Sequence, residues 1–356
     1  MEELIHVLGP VTSLLVWRAA SHGVVDVPSR EGREPSLSRA RARVKLLRAH
    51  PVIRALGDVP LDVIVGESRS AHRSKSLDIN VLRGQMPSGS FCSVDGGLYV
   101  CSPELCFALL GRGGAQVHLA EIGCELCGTY ALPPNQTGSF CNCPSLTNRD
   151  NIESYVRRLG RRHGCRNARA VLPSLQDGSD SPRESQVFLA LTSPLPHGYA
   201  IPKPSLNAEL RVTPCAMQEL GKGTIIVDEL WCDEKGKYLL VGEYDSKSHH
   251  FFALDSQGEE TLNVTKIISD DLRREIVRET GTPMVTIRRT DTKSFQLFDA
   301  KAIRMATILG VDVVPSEGHV RACRIDLFEE LFDAGKWAHE FQALRQMAGY
   351  ERIVRR

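Results

Sequence analysis

From residue 181 to residue 310 the sequence alternates helical and strand patterns, and this alternation most restricts how the chain can fold. A Ser-Pro-Arg-Glu helix start precedes two β-branched runs around a tight turn, an amphipathic helix, a third apolar strand and a last helix. The segments are 181–193, 224–231, 238–244, 264–280, 284–287 and 295–309. Helices that alternate with strands pack in layers on a mixed sheet. The sequence therefore predicts an α/β fold with a mixed sheet flanked by helices.

The N-terminal half predicts an α+β arrangement with basic helices. Its strand patterns lie at 60–66, 77–82 and 97–101. Ser102 is the expected N-cap of a helix that begins at Pro103 and runs to Leu110. The turn-rich stretch 176–182 then separates the two halves. We therefore expect domains at 1–175 and 176–315, followed by a helical extension at 316–356.

Composition restricts the classes of protein to which the chain can belong. Its 356 residues are 42% hydrophobic and 24% charged, which excludes wholesale disorder. No apolar run approaches the ~20 residues of a membrane helix, and two acids stand near the N-terminus where a secretory signal carries bases. We expect a cytoplasmic protein without a membrane partner. The net charge is +1, so a surface for nucleic acid has to come from local segregation of charge.

Two basic segments are candidates for such a surface. The first, 30–49, has helical spacing and includes Arg41 and Lys45. The second follows a predicted helix at 151–159 and carries seven bases without an acid between Glu153 and Asp177. Its candidate contacts are Arg161, Arg162 and Arg166. Either segment could bind phosphates, or its long side chains could cover apolar surface and face solvent.

Three acidic residues on the predicted hairpin form the candidate catalytic centre. Asp228 lies on the first strand, and Glu243 and Asp245 lie two residues apart on the second, so these last two point to the same side. Hard carboxylate oxygens suit Mg²⁺ or Mn²⁺, which could activate water for phosphodiester hydrolysis. The alternative is that these acids are solvated or paired with Lys or Arg.

Four segments carry a resemblance to a known family. They are Ser-Pro-Arg-Glu-Ser at 181–185, Val-Asp-Glu-Leu-Trp at 227–231, Glu-Tyr-Asp at 243–245 with a histidine at 249 or 250, and Ser-Asp-Asp-Leu-Arg-Arg at 269–274 followed by Gly281 and a Val-Thr-Ile strand. Together they resemble the very-short-patch mismatch-repair endonucleases, within the restriction-endonuclease-like PD-(D/E)XK superfamily. The resemblance implies a metal-dependent endonuclease that nicks or cleaves DNA.

The resemblance also implies roles for individual residues. Asp228, Glu243 and Asp245 would be the metal ligands, with Glu184 as the helix acid that orients a ligand or water. His249 would shuttle a proton or contact phosphate. Lys247, Arg273 and Arg274 would neutralise the scissile phosphate.

The sequence also departs from this family. Ser246 stands where the relatives usually carry glycine, and an insertion at 256–264 separates the histidines from the next helix. Both departures leave open a non-catalytic DNA-binding regulator with a degenerate nuclease fold.

Residues 40–130 resemble the AbiEi-type antitoxin and transcriptional-regulator domains. The Leu-Tyr-Val-Cys-Ser-Pro-Glu segment at 98–104, after two strands and before a helix, carries this likeness. It implies an association with DNA, and a toxin or phage-defence partner, with the basic segment 39–48 as the contact.

Four cysteines have a spacing that could suit a structural zinc ion. They are Cys124, Cys127, Cys141 and Cys143, in the pattern C-x2-C-x13-C-x-C. A C-x-C second pair is less usual for zinc than C-x2-C, which favours structural thiols over a metal site.

Overall fold

The computed structural model describes residues 5–31, 34–59, 61–67, 77–95, 97–135, 138–162, 164–245, 252–254, 260–262, 264–333 and 340–350. The chain forms two compact units that divide between residues 182 and 183. The first unit contains residues 1–182 together with 334–356, and the second contains residues 183–333. In sequence, the second unit is therefore an insertion into the first.

The described helices and strands are as follows. The helices are α1 (Pro10–Ser21), α2 (Val44–Ala49), α3 (Pro51–Leu56), α4 (Pro103–Leu110), α5 (Gln116–Cys127), α6 (Arg149–Leu159), α7 (Cys165–Val171), α8 (Pro182–Thr192), α9 (Pro214–Leu220), α10 (Val264–Glu279), α11 (Phe295–Ile308), α12 (Gly318–Phe332) and α13 (Glu340–Met347). The strands are β1 (His6–Val7), β2 (Asp62–Val65), β3 (Asp78–Val81), β4 (Phe91–Asp95), β5 (Leu98–Cys101), β6 (Tyr130–Ala131), β7 (Cys141–Asn142), β8 (Ser205–Arg211), β9 (Thr224–Cys232), β10 (Tyr238–Asp245), β11 (Phe252–Leu254), β12 (Glu260–Leu262) and β13 (Met284–Arg288).

The first unit is built around helix α1, which is buried along nearly its whole length. Pro10 occupies the first turn, where its missing N–H costs nothing. The carboxylate of Asp62 caps the helix, because it accepts hydrogen bonds from the N–H groups of Val11 (3.1 Å) and Thr12 (2.7 Å). A Cβ at Gly9 would lie 2.2 Å from an Asp62 oxygen, so the approach to the cap requires glycine.

A buried ion triad joins three distant parts of the first unit. The guanidinium of Arg18 on α1 donates two hydrogen bonds to Glu125 on α5, at 2.8 and 2.7 Å, and lies 2.7 Å from the carboxylate of Glu340 on α13. Burial by itself would lower the pKa of Arg18, but the two carboxylates raise it above its usual value. The C-terminal helix is therefore fixed to the first helix of the chain.

The second unit contains a mixed sheet in the strand order β13-β10-β9-β8. Strands β8, β9 and β10 are antiparallel neighbours, whereas β13 runs parallel to β10 after the crossover helix α10. Apolar residues of α10, including Ile276 and Val277, belong to one buried cluster with Leu210, Val227 and Val241 of the sheet. The burial of this helical stripe holds α10 against the strands.

Several predictions from the sequence are confirmed. The unit combines helices with a mixed sheet, as the α/β class requires. The Ser102 Oγ accepts a hydrogen bond from the N–H of Leu105 at 3.3 Å, so α4 has the predicted cap. Helix α10 ends before Gly281, which has φ +71°.

Other predictions differ from the structure. Strand β8 was not predicted, because its Ser, Asn, Ala and Glu residues have weak strand propensity. The helix in the basic segment covers only 44–49. Arg41 precedes it, because its backbone N–H donates to the Ile5 carbonyl at 3.0 Å instead of joining a helix. The predicted extension at 316–356 is divided, since α12 belongs to the second unit and α13 to the first.

No helix in the described ranges has both the length and the apolar character needed to cross a bilayer.

Removal of the central cation should show how far the first unit depends on the triad. An Arg18→Met substitution keeps most of the side-chain volume but leaves two carboxylates buried without their cation. We expect the free energy of unfolding to fall by about 3–5 kcal/mol, measured by urea unfolding with hydrogen exchange in α1 as the readout. The control is Arg157→Met, which breaks the exposed Arg157–Glu153 pair and should cost less than about 1 kcal/mol. Equal losses in the two variants would contradict the role of the triad.

Candidate functional site

The candidate site lies where the two central strands of the second unit separate. Strands β9 and β10 pair as far as Glu229 opposite Gly242. Beyond this point β10 continues beside β13, with Glu243 opposite Thr286. Continued by one residue, the same register brings Asp228 of β9 opposite Glu243 of β10. Here the Asp228 carboxylate accepts a hydrogen bond from the backbone N–H of Tyr244 at 2.7 Å, so a side chain takes the place of a main-chain partner at the fork.

One guanidinium lies between the two acids at this fork. Nη2 of Arg273, on α10, is 2.8 Å from Oε1 of Glu243 and 3.8 Å from Oδ1 of Asp228. The side chains of these acids are 18% and 17% exposed, so water screens them only in part. The structure thus brings Asp228 and Glu243 together on one cationic group.

The third predicted ligand is paired differently. Oδ2 of Asp245 lies 3.3 Å from Nη2 of Arg274, the residue after Arg273. The two acids of β10 therefore face α10, each beside its own arginine. Asp245 does not share the cation that joins Asp228 and Glu243.

The helix acid predicted from the sequence lies close to this pair. Glu184 is in the first turn of α8, and its Oε2 accepts a hydrogen bond from the side-chain amide of Asn207 on β8 at 3.0 Å. Burial raises the pKa of Glu243 to about 7, although Arg273 opposes this shift, and the charge of Glu184 adds to it. The acids of α8, β9 and β10 are therefore electrostatically coupled.

A fifth acid, which the sequence did not predict, lies on the buried side of β9. Glu229 is 4% exposed, and a Cβ at Gly242 would lie 2.4 Å from its Oε2. Burial, followed by the charges of Asp228, Glu184 and Glu243, raises its pKa well above the usual value. Its Oε1 has no hydrogen-bond partner among the described residues. Burial and the neighbouring carboxylates therefore both favour the protonated form of Glu229. The signal in the sequence was the Asp-Glu doublet on a strand, because alternation buries one of two successive residues.

The acids at the fork suit a divalent cation in their chemistry but not in their present placement. As the described side chains stand, no three His, Cys, Asp or Glu residues are placed to hold one metal ion. The oxygens nearest the fork are occupied by Arg273 and Arg274. However, the chemistry of the donors fits Mg²⁺, because the site offers hard carboxylate oxygens and more acids than one guanidinium neutralises. The two remaining predicted catalytic residues, Lys247 and His249, lie outside the described residues.

The predicted arginine cluster lies on the first unit and has two kinds of member. Arg158, Arg162 and Arg169 donate to backbone carbonyls, for example from Arg162 to Arg83 at 3.3 Å. Arg161 and Arg166 are exposed, and within the described ranges no ion pair or hydrogen bond engages their side chains. In the other basic segment, the Arg41 guanidinium donates to the carbonyls of Ser38 and Ala40, and Lys45 is exposed on α2.

None of the four cysteines of the predicted zinc pattern takes part in a disulfide bond. Cys124 and Cys127 are buried on α5, whereas Cys141 and Cys143 are half-buried around β7. Burial raises the pKa of Cys127, Cys141 and Cys143. This environment disfavours the thiolate form that zinc requires.

Comparisons with protein families, with characterised proteins and with solved structures find no match for this chain. Function must therefore be inferred from the geometry of the acids, the arginines and the sheet.

The raised pKa of Glu229 predicts a particular pH dependence of stability. The pKa of this acid is higher in the folded state than its ordinary value of 4.5, so the folded protein binds more protons than the unfolded chain. Its contribution to stability therefore falls as the pH rises from the ordinary pKa through the raised one. Glutamine has no proton to lose. We therefore expect wild-type stability to fall relative to Glu229→Gln as the pH rises above 4.5, by at most ~1.4 kcal/mol per pH unit.

Unfolding in urea over this pH range measures the difference between the two proteins. The matched control is Glu209→Gln, at an exposed position of β8, which should follow the wild type throughout. Parallel pH curves for wild type and Glu229→Gln would contradict a proton on Glu229.

Proposed function

We propose that the second unit is a metal-dependent phosphodiester hydrolase of the endonuclease type, which acts on DNA. The observation that carries the proposal is the convergence of Asp228 and Glu243 on a single cationic group at the fork between β9 and β10. Glu184 lies beside them, close enough to raise the pKa of Glu243. Two strand acids and one helix acid around a place for positive charge are the groups that such a hydrolase needs.

The order of elements supports the same proposal. A helix with an acid in its first turn precedes three antiparallel strands, a crossover helix and a parallel strand, namely α8, β8, β9, β10, α10 and β13. This order brings acids from distant parts of the sequence to one point of the sheet. It is consistent with the restriction-endonuclease-like fold that the motifs resemble.

Each side chain has a distinct role in the proposed reaction. Asp228 and Glu243 would hold Mg²⁺ or Mn²⁺, while Glu184 would orient a metal ligand or the attacking water. When bound, the metal lowers the pKa of water and stabilises the leaving oxygen. Arg273 and Arg274 release their carboxylates and neutralise the phosphate that the nucleophile attacks. Among the residues outside the described ranges, Lys247 would contact the same phosphate and His249 would transfer a proton.

The second candidate function is a DNA-binding regulator without catalysis, which could belong to a toxin–antitoxin or phage-defence system. Arg273 favours this alternative, because a guanidinium already occupies the place between the acids. The exposed Arg161 and Arg166 also favour it, since they lie on the first unit and need no catalytic site to contact phosphate. The two functions differ in their response to metal.

Metal binding should therefore stabilise the protein through Asp228 and Glu243. A ligand that binds only the folded state raises its stability. We expect Mn²⁺ at about 100 times its Kd to raise the Tm of the wild type by about 5 °C or more. Asp228→Asn and Glu243→Gln should lose this shift and also the nicking of supercoiled plasmid. Arg273→Gln should bind Mn²⁺ more tightly, because its competing cation is gone.

Glu209→Gln serves as the control and should retain both the thermal shift and the nicking. A protein that retains DNA but shows no response to Mn²⁺ or Mg²⁺ is the regulator instead of the enzyme.

The arginine cluster should contribute to DNA binding in either case. Each phosphate contact adds about 0.9 to the slope of log K against log salt. We expect Arg161→Glu combined with Arg166→Glu to flatten this slope by about 2 in anisotropy titrations with a fluorescent duplex. Lys235→Glu combined with Lys237→Glu changes the charge equally in the exposed turn after β9 and should leave the slope nearly unchanged. Equal effects of the two double variants would show that net charge, and not this surface, controls binding.

A further inference from the structure

Asn207 is the one position at which the pairing of β8 with β9 is interrupted. Leu206 pairs with Glu229 and Ala208 with Val227, in a constant register that puts Asn207 opposite Asp228. At this position the backbone has φ +44°, in the left-handed region. A residue other than glycine adopts that conformation at an energetic cost, although asparagine tolerates it better than most. The distortion in β8 therefore lies directly beside the candidate site.

The distortion coincides with a contact to the helix acid. Nδ2 of Asn207 donates to Oε2 of Glu184 at 3.0 Å, and both side chains are half-buried. An amide nitrogen is always a donor and never ionises, so it fixes a carboxylate without adding charge. Strained backbone conformations persist where the surrounding structure demands them, which is often beside a functional site.

We propose that Asn207 is a positioning residue, which holds the carboxylate of Glu184 towards the Asp228–Glu243 pair. This inference rests on the proposed function, because it assigns Asn207 to the same acid site. Its physical basis is that β8 loses both its pairing with β9 and its regular backbone geometry at Asn207, and that the amide of this same residue reaches Glu184. The contact fixes the orientation of a side chain that would otherwise sample several rotamers.

Two substitutions separate this role from the strain. Asn207→Gly removes the amide but relieves the left-handed backbone, so its Tm should equal or exceed that of the wild type. Asn207→Asp keeps the size and the backbone preference but replaces the donor with an oxygen that repels Glu184. We expect both to weaken Mn²⁺ binding by the 356-residue chain by about tenfold, measured by electron paramagnetic resonance of free Mn²⁺.

Ala200→Gly is the matched control for the relief of strain. Ala200 is exposed, has φ +51° and belongs to the second unit, where its backbone N–H donates to the carbonyl of Ser193 at 2.9 Å and not to an acid of the site. Its replacement should raise the Tm by the same mechanism and leave the affinity for Mn²⁺ unchanged.

A double-mutant cycle shows whether Asn207 acts through Glu184. In the Glu184→Gln background, Asn207→Gly should have no further effect on the Mn²⁺ affinity. Full additivity of the two substitutions, or wild-type Mn²⁺ affinity in both Asn207 variants, overturns the positioning role and leaves the metal site standing. A wild type that binds no Mn²⁺ overturns the proposed function and the positioning role together.

Discussion

Two carboxylates on adjacent strands, largely removed from water, repel each other unless positive charge lies between them. In the second unit this requirement acts at the fork between β9 and β10, where Asp228 and Glu243 meet. The guanidinium of Arg273 meets it, and because Arg273 is carried by α10, the same contact ties the crossover helix to the sheet. The strand order allows the fork, since β10 continues beside β13 after it leaves β9.

The first unit also buries carboxylates beside an arginine, but there the three charged groups lie in the core. Arg18 is buried together with two acids, from α5 and from the C-terminal helix α13, so its charge is balanced inside the protein. Two further contacts hold the same C-terminal segment: Arg345 pairs with Asp78 at 2.7 Å, and the Tyr350 hydroxyl donates to Asp62 at 2.6 Å. Because Asp62 also caps α1, the end of the chain supports the start of its first helix. Buried ion pairs of this kind specify which segments meet, since an unmatched partner would be costly.

The sequence predicted the elements with strong periodicity and local signals. Helix α10 and strand β13 follow from an amphipathic repeat and a β-branched run, and α4 follows from Ser102 and Pro103. Strand β8 could not be recognised, because its pairing with β9 compensates for weak propensities and for the left-handed Asn207. Long-range pairing of this kind has no local signature.

The candidate site was also predictable only in part, because strand alternation is a local signal whereas the contacts between elements are not. Alternation along β10 indicated that Glu243 and Asp245 share a side, and both do face α10. What the pattern could not give was the identity of the neighbouring cation, because Arg273 comes from a helix about thirty residues later in the sequence. Glu229 was missed because the Asp-Glu doublet indicates only that one of its two acids is buried, and does not indicate that this acid lies among other acids.

The contacts of Arg273 determine how readily another cation can replace its guanidinium beside the acids. Its Nη2 serves the acids, but its Nε is buried without a hydrogen-bond partner among the described residues. An unsatisfied buried donor is costly, so the guanidinium is not held there by a complete set of contacts. Even with Arg273 present, burial and, to a smaller extent, the charge of Glu184 raise the pKa of Glu243 to about 7, so the guanidinium does not fully offset the cost of burying this carboxylate. Below that pH, Glu243 carries a proton and the site needs less positive charge; above it, the added carboxylate charge favours a cation of higher charge. Under the proposed function, the balance between these two states would decide between cleavage and simple binding of a phosphodiester.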